Sequence, residues 1–189
     1  MDKTKNIIWV CTLITLVSNF AINNTILKLL CTIIPIILAF IIIYKNTPKI
    51  VNLSDENIKI KTVRNAFTIN LLFLLSLIFI TCFEEIPNKL IENISLTIIT
   101  IFFIYFGNIC PKIPRNRYIG FRLPWTVNNE ETWRYTHKLV GYLSFPASII
   151  MFLFGFYYNL KIGILLGAFI MIIIPAILSY RFYKNLYKL

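Results

Sequence analysis

Six runs of mostly apolar residues dominate this chain. They are Ile7–Ile22, Ile26–Tyr44, Ala66–Phe83, Ile94–Ile109, Leu139–Tyr158 and Ile162–Tyr180. A helix needs about 20 mostly apolar residues to cross the hydrocarbon core of a bilayer. Four runs meet that length, and the first and fourth reach it by extending a few residues into their flanks. The runs are continuous and show no period-two alternation, which argues against a membrane β-barrel. Composition agrees: 58% of the 189 residues are hydrophobic and 14% are charged, against roughly 25% charged in a soluble domain. Mean hydropathy is +0.74. The expected fold is an all-α integral membrane protein with six transmembrane helices.

Lysine and arginine set the expected orientation, because they accumulate in cytoplasmic segments. Sixteen fall on one side, in both termini and in the two long connections, and three (Lys28, Lys89, Lys161) fall on the other. Both termini are therefore expected to be cytoplasmic. The opposite connections around Asn23–Thr25, Glu84–Asn93 and Asn159–Lys161 are short, so the spans should pair as three antiparallel hairpins. Two regions follow: residues 1–94, and residues 95–189 with their long polar loop at 110–138. The net charge of +11 suits an anionic lipid leaflet, where each basic residue near the surface gains about 1 kcal/mol. Membrane lipid is thus an expected partner, and direct nucleic-acid binding is not expected. Lys3 and Lys5 before the first run resemble the start of a signal peptide, but the run is long and no small-x-small site closes it. A retained first span is expected.

The spans hold no Asp, Glu, Arg or His. Charges at mid-membrane usually mark transport or proton relays, so a pump or voltage sensor is disfavoured. Asn19, Asn70, Ser76 and Asn108 suit interhelical hydrogen bonding, and Pro35, Pro146 and Pro175 should kink their helices. Cys11, Cys31, Cys82 and Cys110 have no metal-ligand or CxxC spacing, so they read as small hydrophobes; no cofactor is implied. Gly163 and Gly167 form a GxxxG pair that suits close helix contact, either within the bundle or at a homodimer seam.

The first long connection, Lys45–Asn65, reads as a solvated loop beside the membrane, with Ser54 as a weak helix cap. The second is more specific. Pro111 and Pro114 stop a helix leaving the membrane, Gly120 permits a turn, and Pro124 extends Leu123. Asn128 or Asn129 can cap a new helix that Glu130 and Glu131 favour by charge. That helix should run without a break into the fifth span. One stripe of it presents Glu130, Trp133 and His137, and the next presents Glu131, Tyr135 and Lys138. Trp125 and Trp133 suit either an interfacial aromatic belt or the packing of the loop against helix ends. Arg122 is expected to pair with Glu130 or Glu131. His137 suits a hydrogen bond to the preceding loop, or a pH sensor. A lone histidine with no adjacent nucleophile gives little basis for an enzyme.

The pattern GN..PK...N..IG.R.PWT......W..TH...G between Gly107 and Gly141 closely resembles the signature of the SdpI family of bacterial membrane proteins. The matching residues include Asn108, Pro111, Lys112, Asn116, Gly120, Arg122, Pro124, Trp125, Thr126, Trp133, Thr136 and His137. Leu123 stands where the family usually has Thr, and Val127 where it has Leu. Residues 1–94 resemble the family only in span count. The resemblance implies an immunity protein of the bacterial cytoplasmic membrane, protecting the producing cell against a secreted, hydrophobic peptide toxin. It also implies a receptor role in some members, which hold a cytoplasmic transcriptional repressor at the membrane. A small multi-span exporter is the alternative that the residues leave open.

Overall fold

A computed structural model of the protein describes residues 2–22, 24–51, 53–54, 57–80, 87–116 and 119–187. Cys82, the acids Asp55, Glu56, Glu84 and Glu85, the basic residues Arg117 and Lys188, and the side chains of Lys3, Lys5 and Asn19 lie outside the described residues. The described residues are helical, with no strand among them. The chain divides into two compact units, Met1–Leu75 and Ser76–Leu189. Among the described residues, five helices are long and apolar enough to cross a membrane: Ile26–Val51, Ile58–Ile80, Asn88–Lys112, Glu130–Tyr157 and Leu160–Tyr187. A shorter apolar helix, Asn6–Ser18, precedes them.

In the first unit α1 (Asp2–Ala21) packs against α2 (Thr25–Val51). Asn24 begins α2, its Oδ1 accepting from the Leu27 N–H at 3.0 Å. The connection after α2 is shorter than the sequence suggested. Instead of ending at Tyr44, α2 continues through Pro48 to Val51. Pro48 has no N–H for the Tyr44 carbonyl four residues back, but the fully buried Thr47 places its Oγ1 2.9 Å from that oxygen and 3.0 Å from Ile43 O. A hydroxyl therefore stands beside the carbonyl that the proline leaves without its helical donor. On the far side α3 (Ile58–Ile80) begins early. Its cap is Asn57, whose Oδ1 accepts from the Lys59 N–H at 3.0 Å, in place of the weak signal at Ser54. Ile60, Val63 and Ala66 are buried on one face of α3. The Arg64 guanidinium lies 5.2 Å from the Tyr44 ring centre. The expected solvated loop Lys45–Asn65 is thus helical over most of its length.

In the second unit α4 (Asn88–Ile109) ends in a 3-10 turn at Cys110–Lys112. After the polar loop come α5 (Pro124–Val127), α6 (Glu130–Tyr157) and α7 (Leu160–Ala168). A π turn, Phe169–Ile173, joins α7 to α8 (Ile174–Tyr187). The central element is α6, with α4, α7 and α8 packed around it. It serves that role because it carries a stripe of small residues. Gly141, Ser144, Ala147, Ser148 and Gly155 let neighbouring backbones approach closely, which is how helices associate where lipid removes the hydrophobic driving force. A Cβ at Gly107 of α4 would collide with Ser144, and one at Gly141 would meet Pro111.

The GxxxG pair serves this same packing. Gly163 lies against the α6 backbone at Met151 and Gly155, and Gly167 lies against the Met151 side chain. That face is filled within the chain, so it does not offer a homodimer seam. Pro175 stands beside a second irregularity. It follows the π turn, in which the Ile174 N–H bonds to Phe169 O five residues back; Pro175 itself is buried. Many large side chains stay exposed, including Tyr142, Phe145 and Leu165, as suits surfaces that lipid covers.

Candidate functional site

The loop begins where α4 stops. Pro111 rests on Gly141 of α6, and Cys110 is buried with Val140, Ala147 and Met171. The chain then turns at Asn116, which is 6% exposed. Its Nδ2 donates to Pro114 O at 2.8 Å and to Ile119 O at 3.0 Å, while its Oδ1 accepts from the Ile119 N–H at 2.8 Å. One amide side chain thereby serves three backbone groups and fixes a turn that has no ladder of its own.

Gly120 follows at φ +120°, in the region that favours glycine. It also lies against two rings. A Cβ there would lie 2.5 Å from His137 Nε2 and 2.9 Å from Trp133 Cη2. Those two rings stack, with centroids 4.0 Å apart and planes inclined by 24°. Both residues are about 1% exposed. They share a face of α6 because they are four residues apart. Trp133 Nε1 donates to Ile113 O at 3.0 Å, so the ring ties the start of the loop to α6. This burial removes Trp133 from the interfacial-belt reading.

His137 ties the middle of the loop. Its Nε2 accepts from the Phe121 N–H at 3.1 Å, and its Nδ1 lies 2.8 Å from Trp133 O. A carbonyl only accepts and an N–H only donates, so the ring is neutral with its proton on Nδ1. Burial, only partly offset by the bond to Trp133 O, lowers its pKa from the ordinary 6.5 to about 4. The residue stands on the charged first turns of α6, before the apolar run that starts at Leu139. Both nitrogens are engaged, so neither is free for proton transfer or for a metal.

Trp125 and Thr126 close the loop. Leu123 is the N-cap of α5 and has no side chain able to cap it. Thr126 does the work from inside: its Oγ1 accepts from the Leu123 N–H at 2.8 Å, and its N–H donates to Leu123 O. The same hydroxyl lies 2.8 Å from Phe121 O and 2.9 Å from Leu123 O. This accounts for an apolar residue at position 123. Trp125 Nε1 donates to Ser179 Oγ at 3.0 Å, and its ring packs on Tyr180 at 5.0 Å. Tyr135 stacks on Phe182 at 4.2 Å, and Asn129 Nδ2 donates to Tyr187 Oη at 3.0 Å. The loop thus joins the ends of α4, α6 and α8.

Of the two candidate caps for α6, Asn129 is the one used, its Oδ1 accepting from the Thr132 N–H at 2.8 Å. Thr136 is buried and donates to Thr132 O at 2.6 Å. The expected pairing of Arg122 with Glu130 or Glu131 is absent among the described residues. Arg122 is exposed, and Glu130 instead meets Arg115 at 3.2 Å and Arg134 at 3.1 Å. Arg115 reaches it because its Nη1 also donates to Val127 O at 2.9 Å, a geometry that residue spacing does not announce. Asn108, Lys112 and Pro124 are exposed as well, with Lys112 Nζ donating to Asn108 Oδ1 at 3.0 Å.

The candidate residues therefore divide in two. Asn116, Gly120, Thr126, Trp133, Thr136 and His137 form an internally bonded brace, which Trp125 fastens to α8. Asn108, Lys112, Arg122 and Pro124 face outward. Residue spacing missed Ser179, Tyr180 and Phe182, which lie more than 40 residues beyond the loop and carry no local signal.

Comparison with known proteins agrees with the loop's resemblance. The family described as SdpI/YfhL protein family matches residues 112–180. A stretch of 101 residues is 32% identical to the protein named Immunity protein SdpI of Bacillus subtilis (strain 168). It covers 50% of this chain and 48% of that protein. No solved structure matches the chain. With its apolar helices, this similarity identifies a multi-pass membrane protein whose second half carries the SdpI/YfhL pattern.

Proposed function

From a second half that carries the SdpI/YfhL pattern, we propose that this protein is an immunity protein of the bacterial cytoplasmic membrane, protecting its cell against a secreted, hydrophobic peptide toxin. The observation that carries the reading is the loop itself: Asn116, Gly120, Thr126, Trp133, Thr136 and His137 of the resemblance form the brace, and Trp125 fastens it to α8. Six spans arranged as three antiparallel hairpins, with both termini and the loop in the cytoplasm, follow from the uneven distribution of basic residues. We place the regions at 1–94 and 95–189.

In this reading the toxin enters the bilayer and meets the exposed apolar faces of the spans. The brace keeps the bundle from being forced apart at its cytoplasmic end. The outward residues Asn108, Lys112 and Pro124 remain available to a cytoplasmic partner, and a transcriptional repressor held there would turn protection into a signal. The test is membrane potential in a sensitive bacterium exposed to a toxin encoded beside this gene. Cells expressing the protein should stay polarised. Cells expressing Trp133→Ala should depolarise like cells without it. Equal depolarisation with and without the intact protein defeats the proposal.

A further inference from the structure

In the second unit the helices that reach the loop end change character in the same order. On α4 the exposed Ile104 and Tyr105 are followed by Lys112. On α6, read toward its start, the exposed Phe145 and Tyr142 are followed by Lys138. On α8 the exposed Ile177 and Tyr180 are followed by Arg181. Each helix thus runs from aliphatic or aromatic, through tyrosine, to a cation. Tyrosine is at home at headgroup level, where one end of its ring is apolar and the other wet.

The cations differ in how well they are neutralised. Glu130 is held by Arg115 and Arg134 at the tip of the loop. Lys112 bonds to Asn108, and Lys184 lies 5.3 Å from the Tyr180 ring centre. Among the described residues, Arg122, Lys138 and Arg181 have no ion-pair partner. Glu131, the other exposed acid at this end, stands two helical turns beyond Lys138, about 10 Å along the axis.

The geometry points to a collar that binds the phosphate-bearing headgroups of anionic phospholipids, with Lys138 and Arg181 as its principal contacts and Arg122, three residues before the Trp125 that packs on Tyr180, as a further one. A lipid surface fits better than a soluble acidic protein because Lys138 and Arg181 lie within one or two turns of exposed tyrosine and aliphatic side chains that the bilayer must cover. The collar requires a membrane protein and is independent of the immunity reading.

The test uses the full chain in nanodiscs of phosphatidylcholine, with and without phosphatidylglycerol, and reads the thermal unfolding midpoint. Anything that binds the folded state raises that midpoint. Phosphatidylglycerol should raise it by several degrees, and salt should shrink the rise. The triple variant Arg122→Gln, Lys138→Gln, Arg181→Gln should lose the rise, whereas Arg122→Lys, Lys138→Arg, Arg181→Lys should keep it. Comparing each variant with itself in two lipids separates loss of binding from general loss of stability. Equal midpoints for the intact protein in both lipids overturn the collar, as does an undiminished rise in the Gln variant. Binding of soluble polyglutamate in phosphatidylcholine discs, without a phosphatidylglycerol effect, would make this a protein-docking surface and likewise overturn it.

Discussion

The two units use polar side chains differently. Among the described residues of Met1–Leu75, hydroxyls and amides bond back to the helix that carries them, as Thr47 does to Ile43 and Asn70 to Ala66. Such bonds settle a side chain within lipid without joining one helix to another. In Ser76–Leu189, bonds from Trp125 to Ser179, Asn129 to Tyr187, Trp133 to Ile113 and Phe121 to His137 cross between elements. The contrast explains why only the second unit has a recognisable signature. A bond within one helix can be made by many residues, whereas a bond across a fold requires a particular donor at a particular place.

The strongest way to break this contrast is to remove a tryptophan from each unit. Trp133→Ala leaves a cavity and strands the Ile113 carbonyl, and should cost about 3–5 kcal/mol. Trp9, which is 60% exposed, should cost only about 0.5 kcal/mol when replaced by Ala. Detergent-titrated unfolding followed by circular dichroism compares the two, and equal losses would sink the distinction. Gly120→Ala comes next. It combines an unfavourable φ with a collision against His137 and Trp133, and should cost about 3 kcal/mol by the same measurement.

Acidification probes the same joint. The folded chain resists protonating His137 down to about pH 4, whereas an unfolded chain takes the proton near 6.5. Stability from this residue is therefore complete above pH 6.5 and falls as pH drops from 6.5 to 4, by roughly 2–3 kcal/mol. Protonation would turn Nε2 toward the Phe121 N–H as a second donor. A His137→Gln chain should lack this pH slope; an unchanged slope would place its origin elsewhere. Ser179→Ala should cost about 1 kcal/mol and speed amide exchange near Tyr180. Arg115→Ala, at a pair that is nearly half exposed on both sides, should cost at most about 1 kcal/mol. A loss there larger than that of Trp133→Ala would mean that the tip of the loop carries more of the fold than its buried centre.

The all-helical, multi-span character was legible in the sequence because length and apolarity are summed along a chain, although among the described residues five helices, not six, are long and apolar enough to cross. A cap at Asn128 or Asn129 and the unbroken α6 were legible because both are local, while the structure alone selects Asn129. Three features were hidden for the opposite reason. The persistence of α2 through Pro48 depends on where one threonine hydroxyl points. The choice of Arg115 over Arg122 depends on how the Asn116 turn aims the chain. The role of Ser179 depends on which elements meet. For the site, the resemblance identified the residues without saying which of them face inward, and burial of Trp133 and His137 is what separates brace from surface.

The π turn at Phe169–Ile173 acts on the last of these at a distance. One residue more or fewer in a helix turns everything after it by about 100°. The π turn holds such an additional residue, and the face that α8 shows to the loop depends on it. Deleting a single residue there leaves the span long enough to cross the membrane yet swings Ser179 away from Trp125 and Phe182 away from Tyr135. The fit of the loop on α8 is thus a matter of phase, set within the membrane two turns before the place where it is used.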